Sequence, residues 1–180
     1  MLAAVVVAMS LAASAAEIDG DRSRAGFTLQ TRWGQQLEGR FPSMRGAVDD
    51  LGDGHHRVRL VLSTTDVEID GHSGYTRATR GSGFFDAGHW PQAEFLSDPY
   101  SPALLRDGGT IGGILSLRGV QRREMFVVLP AACDRPAYDC DVVAVGRIDR
   151  DNYGMDRWRI AVDDDVRLSL RIRVQAGATP

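Results

Sequence analysis

The chain has 180 residues, 25% of them charged and 43% hydrophobic, with a formal net charge of −3. This is the composition of a single globular domain and lacks the basic surplus of a nucleic-acid binder. All 21 basic residues are arginines, which excludes lysine-dependent chemistry such as a Schiff base or a Walker A phosphate site.

Residues 1–16 carry no charge and end in small side chains, and Ser14-Ala15-Ala16 or Ala13-Ser14-Ala15 suits signal peptidase. The run has no basic residue ahead of it and is short for ~30 Å of hydrocarbon. It is read as a cleaved export signal over 1–16, followed by one domain over 17–175 and a loose tail over 176–180. No cysteine follows the cleavage region, so no lipoprotein anchor is expected there. No later stretch reaches 18 apolar residues, which excludes a polytopic membrane protein and argues against stable membrane insertion.

From there the dominant period is two. Ala25 to Trp33 places Phe27, Leu29, Thr31 and Trp33 on one side, the mark of a strand with one dry face. Val58 and Leu60 alternate with Arg57 and Arg59, with Leu62 in the same register, and Val67 and Ile69 alternate with acids. Ser73 to Gly81 is the one stretch read as a short helix, stopped by Gly81-Ser82-Gly83. Leu115 and Leu117 share a face. Met125–Leu129 and Val142–Ile148 carry apolar residues on both faces and are expected to be more buried strands. Val166 to Val174 alternates without a break. Turn signals at Asp49–Gly54, Asp107–Gly109 and Asp163–Asp165 separate these runs. Many short strands between glycine-rich turns predict an all-β sandwich or barrel.

Cys133 and Cys140 form an even, close pair. In an exported chain that reads as a structural disulfide. It lacks the Cys-x-x-Cys spacing of a redox pair, and no further metal ligands lie nearby.

Little in the chain suggests catalysis. His55 and His56 sit in a Gly/Asp turn, where surface histidines are expected rather than metal ligands. His72 and His89 flank the short helix. Gly71-His72-Ser73-Gly74 lacks the Gly-x-Ser-x-Gly spacing of a nucleophile elbow. No glycine-rich phosphate loop precedes a helix, and no cofactor is expected. Aromatic residues instead gather near turns: Phe41, Phe84, Phe85, Trp90, Phe95 and Tyr153. Each alone suits core packing. Together, in a closed sheet, they suggest an apolar pocket.

Several motifs in order resemble the YceI-like, or polyisoprenoid-binding, proteins of the bacterial periplasm. Ile18-Asp19 with Ser23 and Phe27 is similar to the family's opening strand, and Gly39-Arg40-Phe41 with Gly46 to its next turn. Phe84-Phe85-Asp86-Ala87 with Trp90-Pro91, Phe95 and Ser97 resembles its most recognisable segment. Gly113-Ile114-Leu115-Ser116-Leu117-Arg118-Gly119-Val120 looks like a further strand and turn. Arg150-Asp151-Asn152-Tyr153-Gly154-Met155 is similar to its Arg-x-x-Phe-Gly-Met motif, and Asp165-Val166 opens the last strand. Departures are Arg22-Ser23 for His-Ser, Tyr153 for Phe, Thr76, Ala78 and Thr79 in the helix, and the cysteine pair, which is not general in the family.

The resemblance implies an antiparallel lipocalin-like barrel of about eight strands with one short helix, enclosing a tunnel for a long isoprenoid chain such as that of a quinone or polyprenyl lipid. Burying one five-carbon unit is worth ~3–4 kcal/mol at ~0.8 kcal/mol per methylene. The candidate ligand-binding residues are Phe27, Phe41, Phe84, Phe85, Phe95, Leu115, Leu117 and Met155. Phe27 and Leu29, and Leu115 and Leu117, are expected to face inward, because Thr28, Gln30, Arg32, Ser116 and Arg118 form the polar set a water-facing wall needs. The expected role is a periplasmic or secreted, non-enzymatic carrier or scavenger, with a homodimer left open. The rivals are a barrel enzyme using His72, His89 and Asp86, and a structural or stress-related envelope protein with its interior packed shut.

Overall fold

The computed structural model describes residues 15–176. Most of the expected export signal, residues 1–14, and the last four residues of the expected tail lie outside the described residues. The elements are β1 (Ala15–Glu17), β2 (Arg24–Gln30), β3 (Gln36–Phe41), β4 (Met44–Asp50), β5 (His56–Ser63), β6 (Glu68–Ile69), α1 (Ser73–Arg80), β7 (Gln92–Ser97), α2 (Ala103–Asp107), β8 (Gly109–Leu117), β9 (Val120–Val128), β10 (Val142–Asp149), a 3₁₀ turn (Arg150–Tyr153) and β11 (Asp165–Ile172).

The strands form one sheet in the order β1-β4-β5-β7-β8-β9-β10-β11-β2-β3-β6, every pairing antiparallel. β3 and β4 stand near opposite ends of that order, yet only Pro42 and Ser43 join them. Three residue steps reach about 11 Å at most, so the sheet has to curl until its ends approach each other. The result is a half-barrel. The expected all-β antiparallel barrel is therefore present. The sheet has eleven strands where about eight were expected, and β1 and β6, of three and two residues at its two edges, account for two of the additional ones.

The two-residue period selects the inner face. Phe27, Leu29, Leu115 and Leu117 are buried at 3–7% exposure, as expected of the core side. Two expectations fail. Trp33 is 65% exposed, because β2 ends at Gln30 and a turn closed by Gly34 (φ +89°) carries the chain away from the face. β9 and β10 are not buried on both sides. Phe126, Val128, Ala144 and Ile148 point into the core, whereas Met125, Val127, Leu129 and Val145 are substantially exposed. The pleat alternates regardless of how apolar the run is, and no second layer covers the outside of these strands.

Inward phenylalanines need room, and glycines on neighbouring strands provide it. Gly39 pairs with Phe27, and a Cβ there would lie 2.1 Å from the ring. Gly146 stands in the same relation to Phe126. α1 occupies the expected stretch and is tied to β6 by Thr76, whose hydroxyl accepts from the Ile69 N–H at 2.9 Å. The five-residue α2 was missed by periodicity, yet it carries a helix signature: Pro102 at its start and Gly108 (φ +75°) after its end.

Candidate functional site

The interior has two distinct ends. At one, β4, β5, β7–β11 and α2 border a cavity of about 80 Å³ lined by Phe95, Ile111, Phe126, Val142, Ala144 and Ile172, among others. Tyr100 is the one lining residue with a polar side-chain group. The cavity shares Val48, Tyr100, Leu105, Ala137 and Val174 with a larger mouth of about 510 Å³, whose rim includes Arg22, His56, Arg106 and Arg135.

The loop over this mouth is closed by a disulfide between Cys133 and Cys140, whose Cα atoms are 6.0 Å apart. Arg173, just past β11, fixes it. Its Nε donates to Asp141, and its Nη1 donates to the Tyr138 carbonyl at 2.9 Å. The Arg173 N–H donates to the buried Ser23 hydroxyl at 2.9 Å, so the segment before β2 shares the same anchor. Tyr100 is pinned through its backbone: it and His56 exchange two N–H···O bonds of 2.8 Å. Burial pushes its phenol up to about 12.

The other end is filled. Phe27, Phe41, Phe84 and Phe85 meet with ring centroids 5.5–5.7 Å apart, in tilted or edge-to-face geometry, the arrangement their quadrupoles favour. Register places this cluster next to the cavity. Phe27 lies opposite Leu168, with Leu170, which lines the cavity, two residues further along β11. Beyond the rings an apolar cleft of about 170 Å³ opens among Leu29, Trp33, Tyr75, Phe84 and Trp158.

The loop that borders this cleft hangs from Arg150, whose side chain is fully buried. Its guanidinium donates to the Asp163 carbonyl at 3.0 Å, the Val162 carbonyl at 3.1 Å, the Met155 carbonyl and the Asp164 carboxylate at 3.0 Å. It also lies 5.9 Å from the centre of the Phe84 ring. Tyr153, 1% exposed, donates to Glu124 at 2.6 Å. Burial and that carboxylate push its phenol far above the ordinary value.

All eight candidate ligand residues are buried in one core cluster. Phe95 lines the cavity and Phe84 the cleft. Phe27, Phe41 and Phe85 pack against one another between them. Leu115, opposite Phe95 on β8, and Leu117 and Met155 lie in the core without lining either cavity. Periodicity did not single out Ile111, Phe126, Ala144 or Tyr100. Phe126 was hidden in a run that looked apolar on both faces. Tyr100 lies in the proline-flanked Asp98-Pro99-Tyr100-Ser101-Pro102, which reads as a loop.

The residues of the enzyme rival do not converge on a cavity. His72 stands at the N-cap position of α1 without a side-chain cap bond, its ring tilted against that of Tyr75 at 5.1 Å. His89, with a side chain 79% exposed, lies 3.1 Å from Asp86 within one turn. Among the described residues no three His, Cys, Asp or Glu side chains form a metal-holding group, and no helix is long and apolar enough to cross a membrane.

Comparison with known proteins agrees with this architecture. A family model described as a YceI-like domain matches residues 17–174. Among solved structures, BcnA of Burkholderia cenocepacia superposes with a TM-score of 0.69 at 19% identity, covering 86% of this chain and 98% of that one. A polyisoprenoid binding domain from Saccharophagus degradans, implicated in plant cell wall breakdown, gives 0.66 at 13% identity, covering 89% and 97%. The YceI protein of Campylobacter jejuni gives 0.58 at 17% identity, covering 76% and 84%. No curated protein matches the chain at a significant level.

Proposed function

The chain belongs to the YceI-like family, and from that premise we propose that it holds a long isoprenoid-type lipid, a polyprenyl chain or an isoprenoid quinone, as a carrier or scavenger in the periplasm or outside the cell. The observation that carries this reading is the cavity at the disulfide end: an apolar pocket that shares five lining residues with a wide mouth, inside a barrel of the fold shared with a polyisoprenoid-binding domain. Apolar burial supplies the affinity, since a few isoprene units outweigh the cost of association.

The cavity is small for this task. Its 80 Å³ is about half the ~150 Å³ that accommodates benzene in an apolar protein interior. A long tail therefore threads past Phe95 and displaces the rings of Phe27, Phe41 and Phe85 toward the cleft at the α1 end. In this reading Phe95 and Phe84 touch the chain, while Leu115, Leu117 and Met155 hold the wall behind it. The filled aromatic end also supports a second reading, a closed structural barrel.

Native mass spectrometry of protein purified from its own cell envelope separates the two. A retained adduct of isoprenoid mass supports the carrier. Failure to copurify a lipid, together with failure to take up a prenyl quinone, leaves the closed barrel. Binding rather than catalysis predicts that His72→Ala, His89→Ala and Asp86→Ala each retain lipid uptake; loss of a measurable turnover in any of them would restore the enzyme.

The disulfide and the uncharged leader support an extracytoplasmic address. Fractionation with an intact-mass measurement of the processed chain tests it. A homodimer has one supporting feature, the exposed apolar outer face on which Leu96 pairs with Ile114 and Val127 with Val145. Light scattering decides it.

A further inference from the structure

Tyr100 is a polar side chain in a place that the fold gives no evident use. The residue is 8% exposed and borders both the inner cavity and the mouth. Around the inner cavity it is the one lining side chain able to form a hydrogen bond. Its hydroxyl makes no hydrogen bond to another described residue and is not fully enclosed, so solvent reaches it at the threshold, whereas the hydroxyl of Tyr153 donates to Glu124. A hydroxyl that meets only solvent at the threshold is free to donate to a ligand that displaces that solvent.

The position is rigid. Two backbone bonds to His56 fix the Tyr100 main chain, and the His56 ring meets the Tyr100 ring edge-on at 6.1 Å. A phenol held well above its ordinary ionisation range remains a donor at every physiological pH. On the mouth side of the same threshold stand Arg22 and Arg106, and no carboxylate is bonded to Arg106 among the described residues.

We infer that Tyr100 marks the polar end of the binding site: its hydroxyl donates a hydrogen bond to an oxygen acceptor on the head of an isoprenoid lipid whose tail lies in the barrel and whose head rests in the mouth. This rests on the lipid-carrier reading and adds orientation and chemical class. The tail points toward α1, the head toward the disulfide loop, and the head bears a carbonyl or phosphate oxygen. An isoprenoid hydrocarbon without an oxygen gains nothing from the contact.

The test compares wild type and Tyr100→Phe, which keeps the ring and removes the hydroxyl, against three probes of equal chain length. These are a naphthoquinone carrying four isoprene units, geranylgeranyl phosphate and the hydrocarbon phytane, titrated by native mass spectrometry. The expected result is a loss of about threefold to tenfold for an oxygen-bearing probe, the size of one net hydrogen bond, with phytane unchanged. Loss confined to the quinone identifies a carbonyl head; loss confined to the phosphate, accompanied by a similar loss in Arg106→Gln, identifies a phosphate head. Equal binding of both oxygen-bearing probes by the variant overturns the proposal. So does an equal loss on phytane, which would make the residue a packing element, and so does wild-type binding of phytane alone. If wild type binds none of the three, the lipid reading falls and takes this inference with it. That outcome is distinct from intact binding that ignores the substitution.

Discussion

At the α1 end of the barrel, four phenylalanine rings meet at 5.5–5.7 Å. At the disulfide end, much of the same inner wall is isoleucine, valine and alanine around a cavity of about 80 Å³. Both ends are lined by apolar side chains; they differ in how those side chains fill space. Aromatic rings interlock in tilted or edge-to-face contacts and, with a glycine beneath Phe27, fill the space among themselves. β-branched side chains are stiff and short, so those on opposite walls do not all reach one another. Apolar character makes the interior, and side-chain shape decides which part of it stays open.

The strongest way to break this contrast is to empty the filled end. Phe85→Ala removes the ring that contacts Phe27, Phe41 and Phe84 and is expected to cost about 3–5 kcal/mol in chemical denaturation. If the stack blocks the tunnel, the same variant takes up longer isoprenoid chains than wild type, read as the mass of the loaded species. Destabilisation with unchanged chain-length preference would separate the stack from the tunnel.

The open end depends on a covalent closure. Replacing Cys133 and Cys140 together by serine is expected to cost about 2.5 kcal/mol by the chain-entropy model for so short a loop. Because the loop borders the mouth, the release rate of bound lipid should rise as well; stopped-flow transfer to acceptor vesicles reads it.

Filling the cavity is milder for the fold and harsher for binding. Ala144→Phe projects a ring into the space between Phe126 and Val142, with an expected overpacking cost of about 1–3 kcal/mol. Lipid loading of the folded variant should drop sharply, and undiminished loading would mean the tail lies elsewhere. Ile111→Val is the smallest change, about 0.5–1.5 kcal/mol, and should leave uptake intact because it only widens a wall already lined by aliphatic groups.

The inner face of β2 and β8 was legible in the sequence, because a half-wet strand writes its burial as alternation: Phe27 and Leu29 against Thr28 and Gln30. Alternation failed where the outer face is apolar as well. Met125, Val127 and Val145 look like core residues in one dimension and face solvent in three, since only the pleat and the absence of a covering layer decide it. The motif around Phe84-Phe85 pointed to the aromatic end, and the family resemblance to the topology. The division of the interior into a filled and an open part was not readable. It depends on which rings meet across strands far apart in sequence, and on a register that places Tyr100 at the threshold from within a proline-flanked turn.

β2 and β11 are hydrogen-bonded neighbours, from Thr28 with Arg167 to Arg24 with Arg171, although nearly the whole domain separates them along the chain. A polypeptide delivered amino end first therefore presents β2 with β3 on one side and an unmet edge on the other until the last strand arrives. Closing that seam requires the longest-range pairing between two of the named strands, and such non-local pairings form slowly. Until then the exposed edge offers its N–H and C=O groups to any passing strand. The architecture thus ties completion of the fold to completion of the chain, and a stalled or truncated product is expected to aggregate rather than fold into a smaller barrel.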